Sequence, residues 1–162
     1  MDHGLGLRQA LGDSATLITD PEITISYSKD QAPFAAHEAA AIVLLAKSTE
    51  EVAAAVKYAH THNIPVIARG AGSGLSGGAN ATSTSLVISL EKMNAITEID
   101  TTNLIARVQA GVINLDLDKA AQEHGLAYLP DPASRDWSTI GGNAATNAGG
   151  MCCVKYGVTS AH

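Results

Sequence analysis

The stretch "ARGAGSGLSGG", Ala68–Gly78, constrains the fold of this 162-residue chain most strongly, because it places five glycines directly after an apolar segment. Gly72, Gly74 and Gly77 have the G-x-G-x-x-G spacing of dinucleotide-binding Rossmann folds. A Rossmann site also needs a helix immediately after its glycine turn. The following residues, "LSGGANATSTS", form helices poorly, and the next apolar run, "SLVISL", is typical of a strand. The sequence therefore favours a strand–loop–strand unit over a Rossmann site.

The glycine loop is better suited to holding an anion through its backbone. A Walker A loop is excluded because no lysine lies between Lys57 and Lys92. Glycines allow successive backbone N–H groups to face one concave surface, which suits a pyrophosphate. Ser73 and Ser76 add hydroxyl donors, and Arg69 is expected to place a positive charge at the rim. A flexible surface loop is the alternative, although such loops rarely follow a buried strand with so many glycines.

The residues before the loop predict a β–α–β unit of about 30 residues. "AAIVLLAK" indicates a buried strand, and "NIPVIAR" indicates the strand that leads into the loop. Between them, Ser48 and Glu51 have the spacing of a capping box that starts a helix running to about His62. The apolar face predicted for this helix consists of Val52, Val56 and Ala59. We interpret residues 1–38 as an N-terminal extension of helix and loops, with a helix over Leu5–Leu11.

The residues after the loop predict a hairpin and a helix. "AITEID" and "LIARVQA" are two strands joined by a tight turn at Thr101–Asn103. A helix is expected from about Leu115 to His124, with Asn114 as its N-cap and Gly125 as its stop. Two acidic residues in its first turn are interpreted as serving the helix dipole: Asp116 and Asp118.

A second glycine-rich run, "DPASRDWSTIGGNAATNAGG", indicates another backbone-lined site. Pro130 and Pro132 stiffen the approach, and Ser138 or Thr139 could cap a short helical turn that exposes the N–H groups of residues 140–143. The small residues would let a flat group lie against the backbone, although tight packing of a helix on a sheet is the alternative. Polar contacts to a heteroaromatic edge are expected from Asn143, Thr146 and Asn147. Two such runs suggest one extended ligand held at two points.

Charge and cysteine content narrow the function classes. A net charge of -6 argues against a general nucleic-acid binder, which needs a basic surface. The two cysteines, Cys152 and Cys153, are adjacent, so neither a disulfide framework nor the spacing of a metal site is present. We therefore predict no metal and a cytoplasmic location. The longest apolar run is too short to span a membrane.

Two long motifs resemble a known family. "STEEVAAAVKYAHTHNIPVIARGAGSGLSGGA" and "PDPASRDWSTIGGNAATNAGGMCCVKYGVT" are similar to the FAD-binding domain of the vanillyl-alcohol oxidase / p-cresol methylhydroxylase flavoproteins. Within that superfamily the chain resembles the FAD-linked oxidases of the glycolate oxidase D-subunit and D-lactate dehydrogenase group, over about Ala39 to Thr159. The resemblance implies an α+β fold over residues 39–162, in which a β–α–β subdomain precedes the start of a mixed or antiparallel sheet with helices.

The resemblance also implies roles for individual residues. The FAD pyrophosphate would be held by the backbone of Arg69, Gly70, Ala71, Gly72, Ser73, Gly74, Ser76, Gly77 and Gly78. The flavin and ribityl chain would run along Pro130, Asp131 and Ser134. The isoalloxazine and ribityl-phosphate region would be lined by Thr139, Gly141, Gly142, Asn143, Thr146, Asn147, Gly149 and Gly150. The end of the motif matches at Tyr156 and Gly157. Covalent relatives use a histidine in or near the first loop, and none occurs here, so non-covalent FAD is expected.

By this resemblance, the full-length enzyme would oxidise a small D-2-hydroxy acid by hydride transfer to FAD. Family members continue with further strands and a substrate-binding cap domain, so we expect this chain to be truncated and inactive alone, with weak or no FAD binding. Catalytic residues stay unknown, because no convincing general base occurs in the sequence. Two alternatives stay open. One is a non-catalytic flavin-binding chain that needs a complementing chain or a homo-oligomer, and the less favoured one is a Rossmann NAD(P) enzyme.

Overall fold

The computed structural model describes residues 3–162, which divide into a first unit ending at Lys92 and a second unit beginning at Met93. The helices are α1 (His3–Leu11), α2 (Pro21–Thr24), α3 (Thr49–Thr61), α4 (Asn114–Gln122), α5 (Ile140–Thr146) and α6 (Cys153–Tyr156). The strands are β1 (Thr16–Ile18), β2 (Ile42–Leu45), β3 (Val66–Arg69), β4 (Leu86–Ser89), β5 (Ile96–Asp100) and β6 (Ile105–Val108). Short 3-10 turns follow α2 and α6.

The first unit is built on a four-stranded sheet in the order β1-β2-β4-β3. Strands β2, β4 and β3 are parallel, with Ile42 opposite Leu86 and Val66 opposite Leu86 in register. Strands β2 and β4 are almost continuously apolar and buried, as expected for central parallel strands covered on both faces. The predicted β–α–β unit is confirmed, but β4 lies between its two strands. The glycine loop therefore carries the chain from the edge strand into the centre of the sheet.

Helix α3 begins as predicted but buries a different face. The Ser48 hydroxyl accepts a hydrogen bond from the Glu51 N–H at 3.2 Å, and the Glu51 carboxylate accepts one from the Lys47 N–H at 2.8 Å. The buried residues are Ala55 and Ala59, whereas Val56 is 44% exposed. The predicted face was wrong at Val56 because alanines one turn apart permit closer helix packing than valine does.

The N-terminal residues supply a strand that the sequence analysis did not predict. Helix α1 is present, and Gly12 follows it with a φ of 87°, a conformation that favours glycine. The chain then forms β1, which pairs antiparallel with β2, with Thr16 opposite Leu45. Residues before position 39 thus complete one edge of the sheet.

The second unit contains the predicted hairpin β5–β6 and helix α4. Gly125, with a φ of 71°, follows the end of α4 as expected. The N-cap prediction was wrong: Ile113 occupies that position, and no side chain caps the helix. Asn114 is the first helical residue, and its buried amide donates a hydrogen bond to the Pro130 carbonyl at 3.1 Å. Because Asn114 already lies inside the helix, its side chain is not at the capping position.

Candidate functional site

The first glycine loop joins β3 to β4, and no helix lies between these strands in the described chain. This strand–loop–strand arrangement is the one that the sequence predicts. Gly72 and Gly77 have φ values of 77° and 78°, which side chains other than glycine rarely adopt. The Arg69 guanidinium lies directly against the Cα of Gly72, where a Cβ atom would collide with it. Both glycines are therefore required by the shape of the loop.

The hydrogen bonding of the loop leaves its donors free. Its carbonyls at residues 74 and 77 accept bonds from the N–H groups of Gln31, at 2.8 Å, and Asn80, at 3.0 Å. Within residues 3–162, by contrast, no acceptor pairs with a backbone N–H of residues 71–78, and the hydroxyls of Ser73 and Ser76 also have no partner. Buried backbone donors normally pair with a protein group or with water, and of these residues Gly72 is buried. A run of unpaired donors beside tethered carbonyls is what an anion-binding nest requires.

The Arg69 side chain connects the loop to the segment that contains Lys29. Its Nη1 donates a hydrogen bond to the Lys29 carbonyl at 2.6 Å, and its Nη2 donates one to the Ala71 carbonyl at 3.4 Å. Burial lowers the pKa of Arg69, while the nearby charges of Asp30 and Glu91 act in the opposite direction. The guanidinium is half-buried, and two of its nitrogen atoms donate to these carbonyls. Its role as a positive charge at the rim of the loop stays a prediction.

Tyr27 is influenced by two of the same charged residues, Arg69 and Glu91. Burial raises the pKa of Tyr27, and the charge of Glu91 raises it further, whereas Arg69 lowers it. Tyr27 also packs against the apolar core of the first unit. The tyrosine therefore stays neutral at physiological pH, and Arg69 interacts with the charges of Asp30 and Glu91.

A segment that the sequence predicts to lie outside the FAD-binding domain is hydrogen-bonded to residues of the loop. We call residues 28–38 the clasp segment. Asp30 donates its N–H to the Asn80 side-chain oxygen at 2.9 Å, and the Asn80 amide donates to the carbonyls of Ala35 and Ala36 at 3.2 and 3.1 Å. The partners are 44 to 50 residues apart in the chain. No local pattern encodes contacts at this separation, so sequence reasoning missed both the segment and Asn80.

The second glycine-rich run forms α5, which Thr139 caps by accepting the Gly142 N–H at 3.2 Å. The expectation that the N–H groups of residues 140–143 are exposed was wrong. Ile140 donates to the Val112 carbonyl at 2.8 Å, Gly141 donates to the Ala110 carbonyl at 2.9 Å, and Asn143 donates to the Thr139 carbonyl at 2.8 Å. Carbonyls of the segment that leads into α4 thus accept the N–H groups of Ile140 and Gly141, so these groups are not available to a ligand.

Close packing explains Gly141 in particular. A Cβ atom at this position would lie 2.7 Å from the Ala110 methyl group and 2.9 Å from its carbonyl oxygen. Tight packing therefore accounts for this glycine, but against the turn at Ala110 and not against a sheet as the alternative proposed. The Thr146 hydroxyl donates to the Gly142 carbonyl at 3.0 Å, and the Asn147 side-chain oxygen accepts the Ser160 N–H at 2.9 Å. Both polar groups predicted to contact a ligand have partners within the second unit.

Asp131, a predicted flavin contact, organises the turn at Gly150. Its carbonyl and carboxylate lie against the Cα of Gly150, which has a φ of 139°, and its Oδ1 accepts the Cys152 N–H at 3.3 Å. Asp131 also raises the pKa of the Cys152 thiol, chiefly by hydrogen bonding and next by its charge. Beyond this turn, Tyr156 lies in α6 beneath the ammonium group of Lys155. Gly157 follows α6 with a φ of 91°.

Asp118 fixes the segment that carries Pro130 and Asp131. Its carboxylate is only 7% exposed and accepts hydrogen bonds from the Tyr128 N–H at 3.0 Å, Gln122 Nε2 at 2.9 Å and Arg135 Nη2 at 3.0 Å. The interpretation of Asp118 as a residue serving the helix dipole was therefore wrong.

Three buried polar atoms of the second unit have no partner among the described residues: Asn114 Oδ1, Ser138 Oγ and Asn143 Nδ2.

Other site types are not indicated by the described residues. Among residues 3–162, no group of three or more His, Cys, Asp or Glu side chains is arranged to hold a metal ion. In the same part of the chain, no helix combines the length and the apolarity needed to cross a bilayer.

Comparison with known proteins identifies the family. The family described as "FAD binding domain" matches residues 40–162. The chain belongs to this family. A D-lactate dehydrogenase of Anaerostipes hadrus is 42% identical over 143 residues, which are 88% of this chain and 30% of the relative. The glycolate oxidase subunit GlcD of Escherichia coli K12 is 40% identical over 155 residues, which are 96% of this chain and 31% of the relative.

The solved structures agree with this assignment. A structure of alkyldihydroxyacetonephosphate synthase matches with a TM-score of 0.84 and 25% identity, over 98% of this chain and 34% of that one. The chain thus spans about a third of the length of the proteins it matches. The resemblance seen in the sequence, the α+β fold of the p-cresol methylhydroxylase type and FAD as the cofactor are confirmed.

The two glycine-rich runs fit FAD unequally well. The first loop offers unpaired N–H groups in a shape that only glycines allow at two positions, which suits a diphosphate. The N-terminus of α5 offers no free N–H at residues 140–143. In the second run, the buried Asn143 Nδ2 is an unpaired donor. These differences make the first loop the better-supported part of the site.

Proposed function

We propose that the first glycine loop binds the diphosphate of a non-covalent FAD in an enzyme that oxidises a small D-2-hydroxy acid. The observation that carries the proposal is the set of unpaired backbone N–H groups over residues 71–78. Each such donor gains a charge-assisted hydrogen bond when a phosphate oxygen approaches, and these bonds are stronger than neutral ones. The Arg69 guanidinium beneath the loop contributes a positive charge without needing to touch the ligand.

The chain's own residues hold and orient the cofactor in this proposal. FAD, when bound, supplies the acceptor for a hydride. The first loop fixes the diphosphate through rigid backbone, and the residues of the second run are proposed as contacts for the flavin. Non-covalent attachment is supported by the absence of histidine between Ala68 and Gly78.

The substrate class is a proposal for the whole protein, because this chain spans about a third of its relatives. Two of those relatives are named D-lactate dehydrogenase and glycolate oxidase subunit, and both names refer to 2-hydroxy acids. The shared domain supports the same reaction class here: removal of a hydride from the carbon that carries the hydroxyl group.

A second candidate is a flavin-binding chain that works only with a complementing chain or a second copy of itself. One observation favours it. Strand β3 lies at the edge of its sheet, and Val66 on it is 37% exposed. An uncovered edge strand is a site at which another chain can add a strand.

The experiment compares two glycine variants that share one backbone conformation. Gly72→Ala places a methyl group against Arg69 in the loop, whereas Gly12→Ala, at a φ of 87°, meets nothing within 4 Å. Weak binding of FAD by the wild-type chain, seen as quenched flavin fluorescence, is enough for the comparison, and we expect Gly72→Ala to bind at least about tenfold more weakly. Gly12→Ala should bind as the wild type does, and acid precipitation should release all flavin.

The outcomes separate the candidates. Equal FAD binding by Gly72→Ala and the wild type would refute the assignment of the diphosphate to this loop. Turnover of D-lactate or glycolate by the FAD-loaded chain alone would refute the second candidate and the expectation that this chain is inactive by itself. FAD binding with turnover only after a complementing chain is added supports the second.

A further inference from the structure

We propose that Asn80 is a positioning residue of the diphosphate site, which holds the glycine loop ready for its ligand by tying it to the clasp segment. The inference rests on the proposed function of the loop. It adds a residue and a segment to that site, since the clasp segment lies outside the residues 40–162 that the family matches.

The Asn80 side chain makes three hydrogen bonds across this junction. Its oxygen accepts the Asp30 N–H at 2.9 Å, and its nitrogen donates to the Ala35 carbonyl at 3.2 Å and the Ala36 carbonyl at 3.1 Å. An amide side chain that bridges both ends of one segment fixes that segment more firmly than a single bond would. Alanine at this position would remove all three bonds.

Asn80 also connects to the turn at Gly77. Its backbone N–H donates to the Gly77 carbonyl at 3.0 Å. A Cβ atom on Gly77 would lie 3.0 Å from the Ala35 methyl group and 3.7 Å from Asn80 Nδ2, so the clasp segment packs closely on this turn. The clasp and the left-handed turn of the loop therefore form one contact.

A further bond ties the same segment to the middle of the loop. Gln31 donates its N–H to the Gly74 carbonyl at 2.8 Å, next to the Asp30–Asn80 bond. These bonds hold loop carbonyls and leave the N–H groups of residues 71–78 free. A loop already held in its binding conformation loses less entropy when a ligand binds, which increases affinity. Asn80 therefore acts by organising the loop and does not need to contact the ligand.

The test compares Asn80→Ala with Asn103→Ala in the full 162-residue chain. Asn103 is a suitable control because its side chain also makes a hydrogen bond, to Asp100 at 2.7 Å, in the turn of the β5–β6 hairpin. The probes are ADP and FAD, titrated by calorimetry at 10 °C. We expect Asn80→Ala to weaken both by about tenfold or more, and Asn103→Ala to change them by less than about twofold.

A thermal melt without ligand separates positioning from a purely structural role. A purely structural Asn80 would lower the melting temperature and leave both dissociation constants at 10 °C unchanged, which would overturn the inference. If wild type binds neither ADP nor FAD, the proposed function of the loop fails, and the inference fails with it. Normal binding by both wild type and Asn80→Ala refutes only the inference.

Hydrogen exchange on the wild-type chain tests the same point without a variant. ADP should slow the exchange of amides at residues 71–78 through direct contact. It should also slow exchange at Asp30 and Gln31, whose acceptors are Asn80 Oδ1 and the Gly74 carbonyl. Protection of the loop with no change at Asp30 and Gln31 would overturn the coupling.

Discussion

Replacement of Asp118 by alanine should destabilise the second unit by about 1.5–4 kcal/mol. The Tyr128 N–H would lose its acceptor, which costs roughly 1–3 kcal/mol for a buried group. The Arg135 guanidinium is partly exposed and can turn to water, so its lost ion pair adds only about 0.5–1 kcal/mol. Total stabilities of domains are only about 5–15 kcal/mol. The predicted loss is therefore large enough to measure in a urea titration.

The single tryptophan, Trp137, lies in the second unit and gives the fluorescence signal for that titration. Asp116→Ala is the matched control, because Asp116 is exposed in the first turn of the same helix. A residue that serves only the helix dipole contributes about 0.3–1 kcal/mol. If both variants lose the same small amount, the hydrogen bonds of Asp118 do not hold this segment, and the reasoning is refuted.

Two further variants test packing and electrostatics near the second run. Gly141→Ala should cost about 1–3 kcal/mol in urea unfolding, because its methyl group would meet Ala110, whereas Gly78→Ala, with open space around it, should cost less than about 0.5 kcal/mol. Asp131→Asn should speed alkylation of the Cys152 thiol at pH 8, followed at that residue by mass spectrometry. Asp131 raises the pKa of this thiol, so removing its charge increases the thiolate fraction, and an unchanged rate would contradict the assignment.

Much of the fold follows from local patterns. The strands β2 to β6 and helix α3 lie where apolar runs, turn residues and the Ser48 cap predict them. The position of β4 between β2 and β3 could not be predicted, because strand order depends on pairing between distant residues. Strand β1 was missed for a similar reason. Three residues carry too little periodicity, and only their pairing with β2 makes them a strand.

The site was predictable only in part. Glycines at Gly72 and Gly77 reveal a loop that needs left-handed backbone, and this requirement is local. The occupied N–H groups at the start of α5 were not foreseeable, because their acceptors at Ala110 and Val112 belong to another stretch of chain. Asp118 was misread for the same reason. The sequence places Asp118 in the first turn, whereas α4 begins at Asn114 and only Asp116 is the acidic residue of that turn.

The contacts of the clasp segment affect how this site can be transferred by protein engineering. A contiguous insert of residues 66–89 would carry β3, the glycine loop and β4 into another scaffold. It would leave behind the donors and acceptors at Lys29, Gln31 and Ala35 that hold the loop. The smallest portable unit of this proposed phosphate site is therefore discontinuous. A graft needs two chain segments in their native register. A library that randomises only the glycine loop would leave the clasp segment, which holds the loop, out of the design.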